Sequence, residues 1–227
     1  MAAEDLLHDM GAISIFSTDS QGMGRLAENQ AKCWQLASLM KQRHGRLPEE
    51  RTTRADNERI KRYLAKLTIN PAIAAGIDAH VGSIQPGRMA DLIFWPRASF
   101  GIKPRVVMKS GFIAWATCGD ANGSMMDSEP NLQRPMWGSL GLSPTRLGVT
   151  FVSQLAVQAD RARKLGVAKK FVPIGNTRHL GKQHMLHNNA LPNIEVDSET
   201  FEVRADGRLL AGEPAAQVPL NRSYMLR

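Results

Sequence analysis

The sequence predicts an α/β fold from two observations. In residues 12–43 a short apolar run, a polar loop with glycines and a helical stretch follow one another, and this order is typical of parallel α/β folds. After residue 80, glycines and prolines separate short apolar stretches, which is typical of strands joined by turns. We therefore expect a helical part that contains one buried strand, followed by a part built mainly of strands.

The buried strand is predicted at residues 12–17, AISIFS. This run is short, partly β-branched and bounded by Gly11 and by the polar residues 18–20, which suits a strand that runs into a loop. Gly22 and Gly24 then permit a tight turn before the next helix.

Helices are predicted at residues 2–9, 25–43, 57–67 and from about 70 to 76. Asn70 is a residue type that caps helices, and Pro71 suits the first helical position. The candidates for the apolar face of the second helix are Leu26, Cys33, Trp34, Leu36, Ala37 and Met40. The later elements are predicted as strands at 105–108 and 112–116, a helix at 151–165, and a hairpin of 194–196 with 200–208 whose turn is Asp206-Gly207.

Composition excludes several classes of protein. The chain has 227 residues, of which 43% are hydrophobic and 22% charged, as in an ordinary globular protein. No apolar run is long enough to cross a membrane. The acidic first ten residues do not form an export signal, and two cysteines cannot form a disulfide framework. These features predict a cytoplasmic protein without a membrane partner.

The net charge of +8 leaves nucleic-acid binding open as an alternative. The basic residues are densest at 51–54, 59–62 and 161–170, and they alternate with ordinary amphipathic spacing. Because dispersed charge without a binding motif is a weak indication, nucleic acid is an unfavoured partner.

Asp19 is the residue most suited to chemistry. It follows the predicted strand and precedes a glycine-containing turn, and α/β barrels carry their catalytic groups at such strand ends. A carboxylate there can bind a metal ion. The same spacing also suits a helix cap or a turn residue. Among the six histidines, His184 and His187 have a spacing that could bind metal on a helix, although exposed or hydrogen-bonded histidines are the simpler interpretation.

Several segments resemble the large, alpha subunit of urease, a member of the amidohydrolase superfamily. HDMGAISIFSTDSQGMGR is similar to the stretch that ends in the urease motif Asp-Ser-Gln-Ala-Met-Gly-Arg, and INPAIAAGIDAHVGSIQPGRMADLIFWP is similar to a later urease segment. Further blocks follow in the family's order: VTFVSQ, LGVAKK, NTRHLGK, IEVDSETFEVRADGRLL and the final RSYMLR.

This resemblance implies the carboxy-terminal portion of a metal-dependent (β/α)8 amidohydrolase barrel, with strands of the accompanying small β-domain. Residues 1–78 would supply the last barrel strand, its helices and the Asp19 loop. Residues 79–118 would supply strands of the small domain, and 119–227 a carboxy-terminal tail region specific to urease.

The resemblance also implies a nickel site that hydrolyses urea to ammonia and carbamate. In the family two nickel ions are bridged by a carbamylated lysine and a hydroxide, and the aspartate that matches Asp19 binds one of them. The carbonyl matching Gly22 faces the bound urea, and the methionine matching Met23 lines the same pocket. Position 22 is usually alanine in the family and is glycine here.

The histidine ligands and the bridging lysine of the family have no matching positions in this sequence. We therefore expect a fragment that is inactive alone and works with the missing upstream part of the alpha subunit, other urease subunits and urease accessory proteins. The alternative is a non-enzymatic fragment that acts only in subunit assembly.

Overall fold

A computed structural model describes residues 3–19, 22–23, 26–50, 57–101, 104–116 and 141–212. These residues fall into two compact units. The first contains described residues up to 74 together with those from 177 onward, and the second contains described residues from 75 to 176. No helix in the described ranges is long and apolar enough to cross a membrane. Arg25, the basic run 51–54 and residues 119–140 and 213–227 of the predicted tail lie outside the described residues.

The first unit begins with four helices: α1 (Glu4–Asp9), α2 (Leu26–His44), α3 (Asn57–Leu67) and α4 (Ile69–Ala74). Each lies close to its predicted position, and α3 matches residue for residue. Within α2, Cys33 and Met40 are fully buried, as predicted, and Ala31 joins them at 4% exposure. Trp34, Leu36 and Ala37, which were predicted on the same face, are half-buried, so the helical spacing identified the buried face of α2 in part.

The strand predicted at residues 12–17 is wrong, because this run pairs with no strand in the described structure. Its first two backbone N–H groups instead donate to the carbonyl of Leu7, at 2.9 and 3.3 Å. Phe16 N donates to the carbonyl of Lys66 at 3.2 Å. A strand requires a continuous ladder with a neighbour, and here side chains of other segments bond the backbone instead.

The predicted cap at Asn70 is also wrong. Asn70 lies inside α4 and is fully buried. Its amide nitrogen donates to the carbonyls of Ser14 (3.0 Å) and Leu186 (3.1 Å), and its oxygen accepts from Leu186 N at 2.8 Å. A buried amide that bonds distant backbone groups is unavailable to cap its own helix, so Asn70 joins three separated segments instead.

The carboxy-terminal part of the first unit forms a three-stranded antiparallel sheet. Its strands are β6 (Ile194–Val196), β7 (Val203–Ala205) and β8 (Arg208–Leu209), in that spatial order. The predicted hairpin of 194–196 with 200–208 is confirmed by the antiparallel pairing of β6 with β7, but Asp206-Gly207 connects β7 to β8 instead of closing that hairpin. A small apolar cluster lies against this sheet and is formed by Ala3, Leu6, Leu7, Val203, Ala205 and Leu210.

The second unit contains two sheets. β1 (Leu92–Phe94), β2 (Val106–Lys109) and β3 (Phe112–Ala116) form an antiparallel sheet. A short helix, α5 (Ser143–Arg146), precedes β4 (Val149–Val152), which pairs in parallel with β5 (Lys170–Pro173). Two short helices, α6 (Gln154–Gln158) and α7 (Arg161–Lys164), connect β4 to β5.

The second unit confirms the strands predicted at 105–108 and 112–116 to within one residue. The continuous helix predicted at 151–165 is wrong: Phe151 belongs to β4, and Asp160 has a left-handed backbone that separates α6 from α7. The predicted mixture of helices and strands is thus present, whereas the described residues contain no closed barrel. The domain boundaries after residues 78 and 118 stay predictions.

Candidate functional site

The three predicted site residues lie in one tight loop. Asp19 is exposed, and its backbone carbonyl accepts a hydrogen bond from Gly22 N at 2.8 Å. Gly22 has φ of 60° and Met23 has φ of 49°, so both occupy the left-handed region. Gly22 is buried, whereas the Met23 side chain is 76% exposed. We call residues 17–23 the Asp19 loop; residues 20 and 21 lie outside the description.

The carboxylate of Asp19 faces solvent without an ion pair or side-chain hydrogen bond from any described residue. Helix α2 begins at Leu26, seven positions further on, and an N-cap side chain bonds only the next two or three residues. Asp19 therefore does not cap α2. Its main chain closes a turn with Gly22, and its side chain is exposed.

The residues before this loop are held in an unusual way. We call residues 11–16 the anchored segment, because side chains from α3, α4 and the region around residue 182 bond four consecutive carbonyls. In order, Lys182 Nζ donates to Gly11 O (3.1 Å) and Ala12 O (2.5 Å), Lys66 Nζ donates to Ile13 O, and Asn70 Nδ2 donates to Ser14 O (3.0 Å).

Ser14 adds a second set of bonds to the anchored segment. Its hydroxyl donates to the carbonyl of Asn188 at 2.9 Å and accepts from Lys182 Nζ at 2.6 Å. Asn188 is fully buried, and its amide donates to the carbonyl of Arg62 at 2.9 Å. The segment that leads to Asp19 is therefore fixed to residues 62–70 and 182–188 of the first unit by partly buried hydrogen bonds, and such polar groups are costly to leave unpaired.

Burial changes the proton affinity of the groups around this segment. Desolvation lowers the pKa of Lys66 to about 7, and nearby Arg62 and Lys182 act in the same direction. Desolvation also lowers the pKa of Lys182, and it lowers the pKa of His8 to about 4. The Cys33 thiol has a pKa raised to about 12 by burial. Cys33 is thus a poor nucleophile, because the thiolate is the reactive form.

A buried ion pair lies directly before the anchored segment. Arg59 donates to both carboxylate oxygens of Asp9, at 2.9 and 3.0 Å, and the Tyr63 hydroxyl donates to the same carboxylate at 3.3 Å. Arg62 donates to the Asp9 carbonyl. The sequence predicted helix α3 but not this inward polar face. The signal available was the recurrence of polar residues at helical spacing, at positions 59, 62, 63 and 66.

The described residues do not by themselves fit a two-nickel centre. They contain no group of three or more histidine, cysteine, aspartate or glutamate side chains close enough to hold a metal ion. His184 uses Nδ1 to accept from Gly181 N at 2.9 Å, while His187 lies 3.9 Å from Glu58. The histidine pair suggested by spacing therefore does not form a metal site. Asp19 remains as a single exposed carboxylate.

Comparisons with known proteins identify the family. The model of the Amidohydrolase family matches residues 1–126, which is more than half of the chain. All 227 residues align with the urease subunit alpha of Haloarcula marismortui at 49% identity, and the chain spans 40% of that protein's length. The match covers the Asp19 loop, the anchored segment and both structural units. The chain belongs to the amidohydrolase family.

Proposed function

We propose that this chain contributes Asp19 to a nickel-dependent active site that hydrolyses urea to ammonia and carbamate. The observation that carries the proposal is the 49% identity to a urease subunit alpha over the entire chain. In this proposal the other metal ligands come from polypeptide outside these 227 residues.

The difference in exposure and hydrogen bonding between Asp19 and the segment before it supports this role. The carboxylate is exposed, whereas the anchored segment before it is bonded at four consecutive carbonyls. A metal ligand works best when its supporting backbone is fixed before the metal binds. Asp19 thus has an exposed carboxylate, and the backbone segment that precedes it is held by hydrogen bonds.

Gly22 and Met23 are proposed to contact the substrate. Their left-handed backbone turns the loop sharply after Asp19, and the exposed Met23 side chain supplies apolar surface four residues further along the chain. Gly22 keeps a backbone carbonyl that can accept a hydrogen bond from a urea amide. The loop would thereby offer a metal ligand and two substrate contacts within five residues.

The proposed role of this chain is limited to binding the metal and contacting the substrate. Such a centre needs several ligands and a bridge, and the described residues supply one exposed carboxylate. No catalytic step follows from these side chains alone. The proposed partners are therefore the remaining part of a urease alpha subunit, the other urease subunits, and accessory proteins that assist nickel loading.

A complementation experiment tests this function. The chain would be co-expressed with the part of the Haloarcula urease subunit alpha that it does not match, together with the other urease subunits and accessory proteins. We expect urea hydrolysis with the wild-type chain and its loss with Asp19→Asn. Glu199→Gln, which alters another exposed acidic residue, is the matched control and should retain activity.

The alternative of a non-enzymatic assembly piece predicts a different result. The chain would then enter the complex while Asp19→Asn left urea hydrolysis unchanged. Failure of the wild-type chain to restore any hydrolysis, despite its incorporation and nickel loading, would also contradict the proposed role.

A further inference from the structure

A cleft in the first unit lies apart from the Asp19 loop. Its volume is about 540 Å³, which is within the range of small-molecule pockets. Its walls come from α1, the end of α2, the 3₁₀ turn Pro48–Glu50, α3, and the residues of and after β8. None of the described residues of the Asp19 loop lines it.

The cleft has an excess of positive charge. Four arginines, at positions 46, 59, 62 and 208, line it against two carboxylates, those of Asp9 and Glu49. Arg59 and Asp9 neutralise each other through two hydrogen bonds in the interior. Apart from Arg46, the remaining charge is carried by Arg62 and Arg208 against Glu49, so the potential in the cleft favours an anion.

Arg62 is the donor best prepared to bind such an anion. Its guanidinium donates to the carbonyls of Asp9 and His187, and its side chain is only 14% exposed. These two backbone acceptors fix the planar group before any ligand arrives, which reduces the entropic cost of binding. The remaining nitrogen, Nη2, faces the Glu49 carboxylate.

The pairing of Arg62 with Glu49 is loose. Arg62 Nη2 and Glu49 Oε1 lie 3.6 Å apart, and the Glu49 side chain is 55% exposed. An ion pair this long, with one partner exposed, contributes little, because water competes for the Glu49 carboxylate. An incoming oxyanion can therefore replace Glu49 as the partner of Arg62, and it would gain the additional positive charge of exposed Arg208 at the rim.

The remaining wall of the cleft is apolar. Leu6, Met10, Leu47 and Leu209 all line it, and Leu47 is 6% exposed whereas Leu209 is 39% exposed. We propose that this cleft binds a small organic oxyanion, a phosphate or carboxylate attached to an apolar group, with Arg62 as its central donor and Arg208 as a rim contact. This site is independent of the proposed urea chemistry.

Chemical-shift titration of the full 227-residue chain with phenyl phosphate and with benzoate tests the proposal. Phenol, which lacks the phosphate, and inorganic phosphate, which lacks the aromatic ring, serve as probes for the two halves of phenyl phosphate. We expect saturable binding of at least one aromatic oxyanion, with shifts at residues that line the cleft, and weaker binding of both half-probes. The tighter of the two aromatic probes identifies the preferred anion.

Variants that remove one charge from the cleft predict the direction in which the affinity for the oxyanion changes. Arg208→Gln should weaken binding of the aromatic oxyanion roughly twofold to fivefold, and Glu49→Gln should tighten it by a similar factor, as expected for exposed charges. Arg204→Gln is the matched control, because Arg204 lies in the same sheet but outside the cleft. It should leave the affinity unchanged.

Three outcomes would overturn the proposal. They are the absence of saturable binding by either aromatic oxyanion, equal weakening by Arg204→Gln and Arg208→Gln, and unchanged or weaker binding in Glu49→Gln. Each variant would first be checked for a native circular-dichroism spectrum and melting temperature, so that a change in affinity reports on the cleft.

Discussion

The anchored segment and the Asp19 loop are neighbours in sequence but differ in how they are stabilised. The anchored segment, residues 11–16, receives side-chain donors at four consecutive carbonyls. In the Asp19 loop the described hydrogen bond is the one from Gly22 N to Asp19 O. The chain thus holds the anchored segment with its own side chains, whereas the Asp19 carboxylate is exposed to solvent.

This difference divides residues 11–23 into a segment that stabilises the fold and a loop that is proposed to act in function. Substitutions that disturb the support of the anchored segment should reduce the free energy of unfolding strongly, because they leave buried polar groups without partners. Substitutions in the exposed loop should have small effects on stability. The predictions below test that division, beginning with the largest expected effect.

Arg59→Met should have the largest effect on stability. It leaves the Asp9 carboxylate, whose side chain is 10% exposed, without its bidentate partner. Removing one member of a buried ion pair costs about 3–5 kcal/mol. The measurement is the free energy of unfolding from guanidinium chloride titration. A loss no greater than that of Lys61→Met, which changes an exposed cation of the same helix, would refute the interpretation.

Asn70→Ala should cost nearly as much. It removes three hydrogen bonds that join α4 to Ser14 and Leu186 and leaves partly buried backbone groups without this partner. We expect a loss of about 3 kcal/mol in the free energy of unfolding. Asn193→Ala is the control, because Asn193 is exposed and its amide bonds only Glu195. Equal losses in the two variants would mean that burial of Asn70 contributes nothing.

The sequence predicted local features well and long-range ones poorly. Helix α3 was placed to the residue because its spacing is contained within eleven positions. The burial of Arg59 and Lys66 was missed because their partners, Asp9 and Ile13, lie about fifty positions earlier. The strand at 12–17 failed for the same reason, since an apolar run does not reveal whether strands or side chains will bond it.

At the candidate site, too, the sequence predicted the local turn but not the contacts between distant residues. The glycines and the acidic residue at 19 predicted a turn, and the turn closes from Gly22 to Asp19. Whether that carboxylate binds metal depends on ligands that the described residues do not bring near it. Spacing alone suggested His184 and His187 as ligands, but the backbone around residue 187 is left-handed instead of helical.

Lys66 predicts a pH dependence of stability. Its pKa is lowered from 10.5 to about 7, so above pH 7 the unfolded chain holds a proton that the folded chain has released. The free energy of unfolding should therefore rise with pH above 7. The lowered pKa of Lys182 acts in the same direction. Burial of the Cys33 thiol acts in the opposite direction above pH 9, so the useful window is pH 7 to about 8.5.

Lys66→Met should flatten this dependence in the same window. Lys61→Met, at an exposed position, should retain the wild-type slope. Guanidinium chloride titrations at several pH values would provide both slopes. A Lys66→Met variant with the full wild-type slope would show that Lys66 remains charged when folded.

Gly22→Ala tests the loop and should have the smallest effect. An alanine at φ of 60° costs about 1 kcal/mol for its left-handed conformation. Gly45→Ala is the matched control, because Gly45 has φ of +70° and open space around its added Cβ. Equal losses would indicate a purely conformational cost. A loss at Gly22 as large as that of Asn70→Ala would contradict the division between loop and anchored segment.

Urea hydrolysis by the purified 227-residue chain, supplied with nickel and bicarbonate, tests the central claim most directly. The account predicts no turnover above the blank, because one aspartate cannot hold a two-metal centre and the described residues contain no group of three or more side chains that could hold a metal ion. Asp19→Ala, assayed in parallel, should behave like the wild-type chain. Turnover above the blank that disappears in Asp19→Ala would contradict the claim that this chain supplies only one ligand of the site.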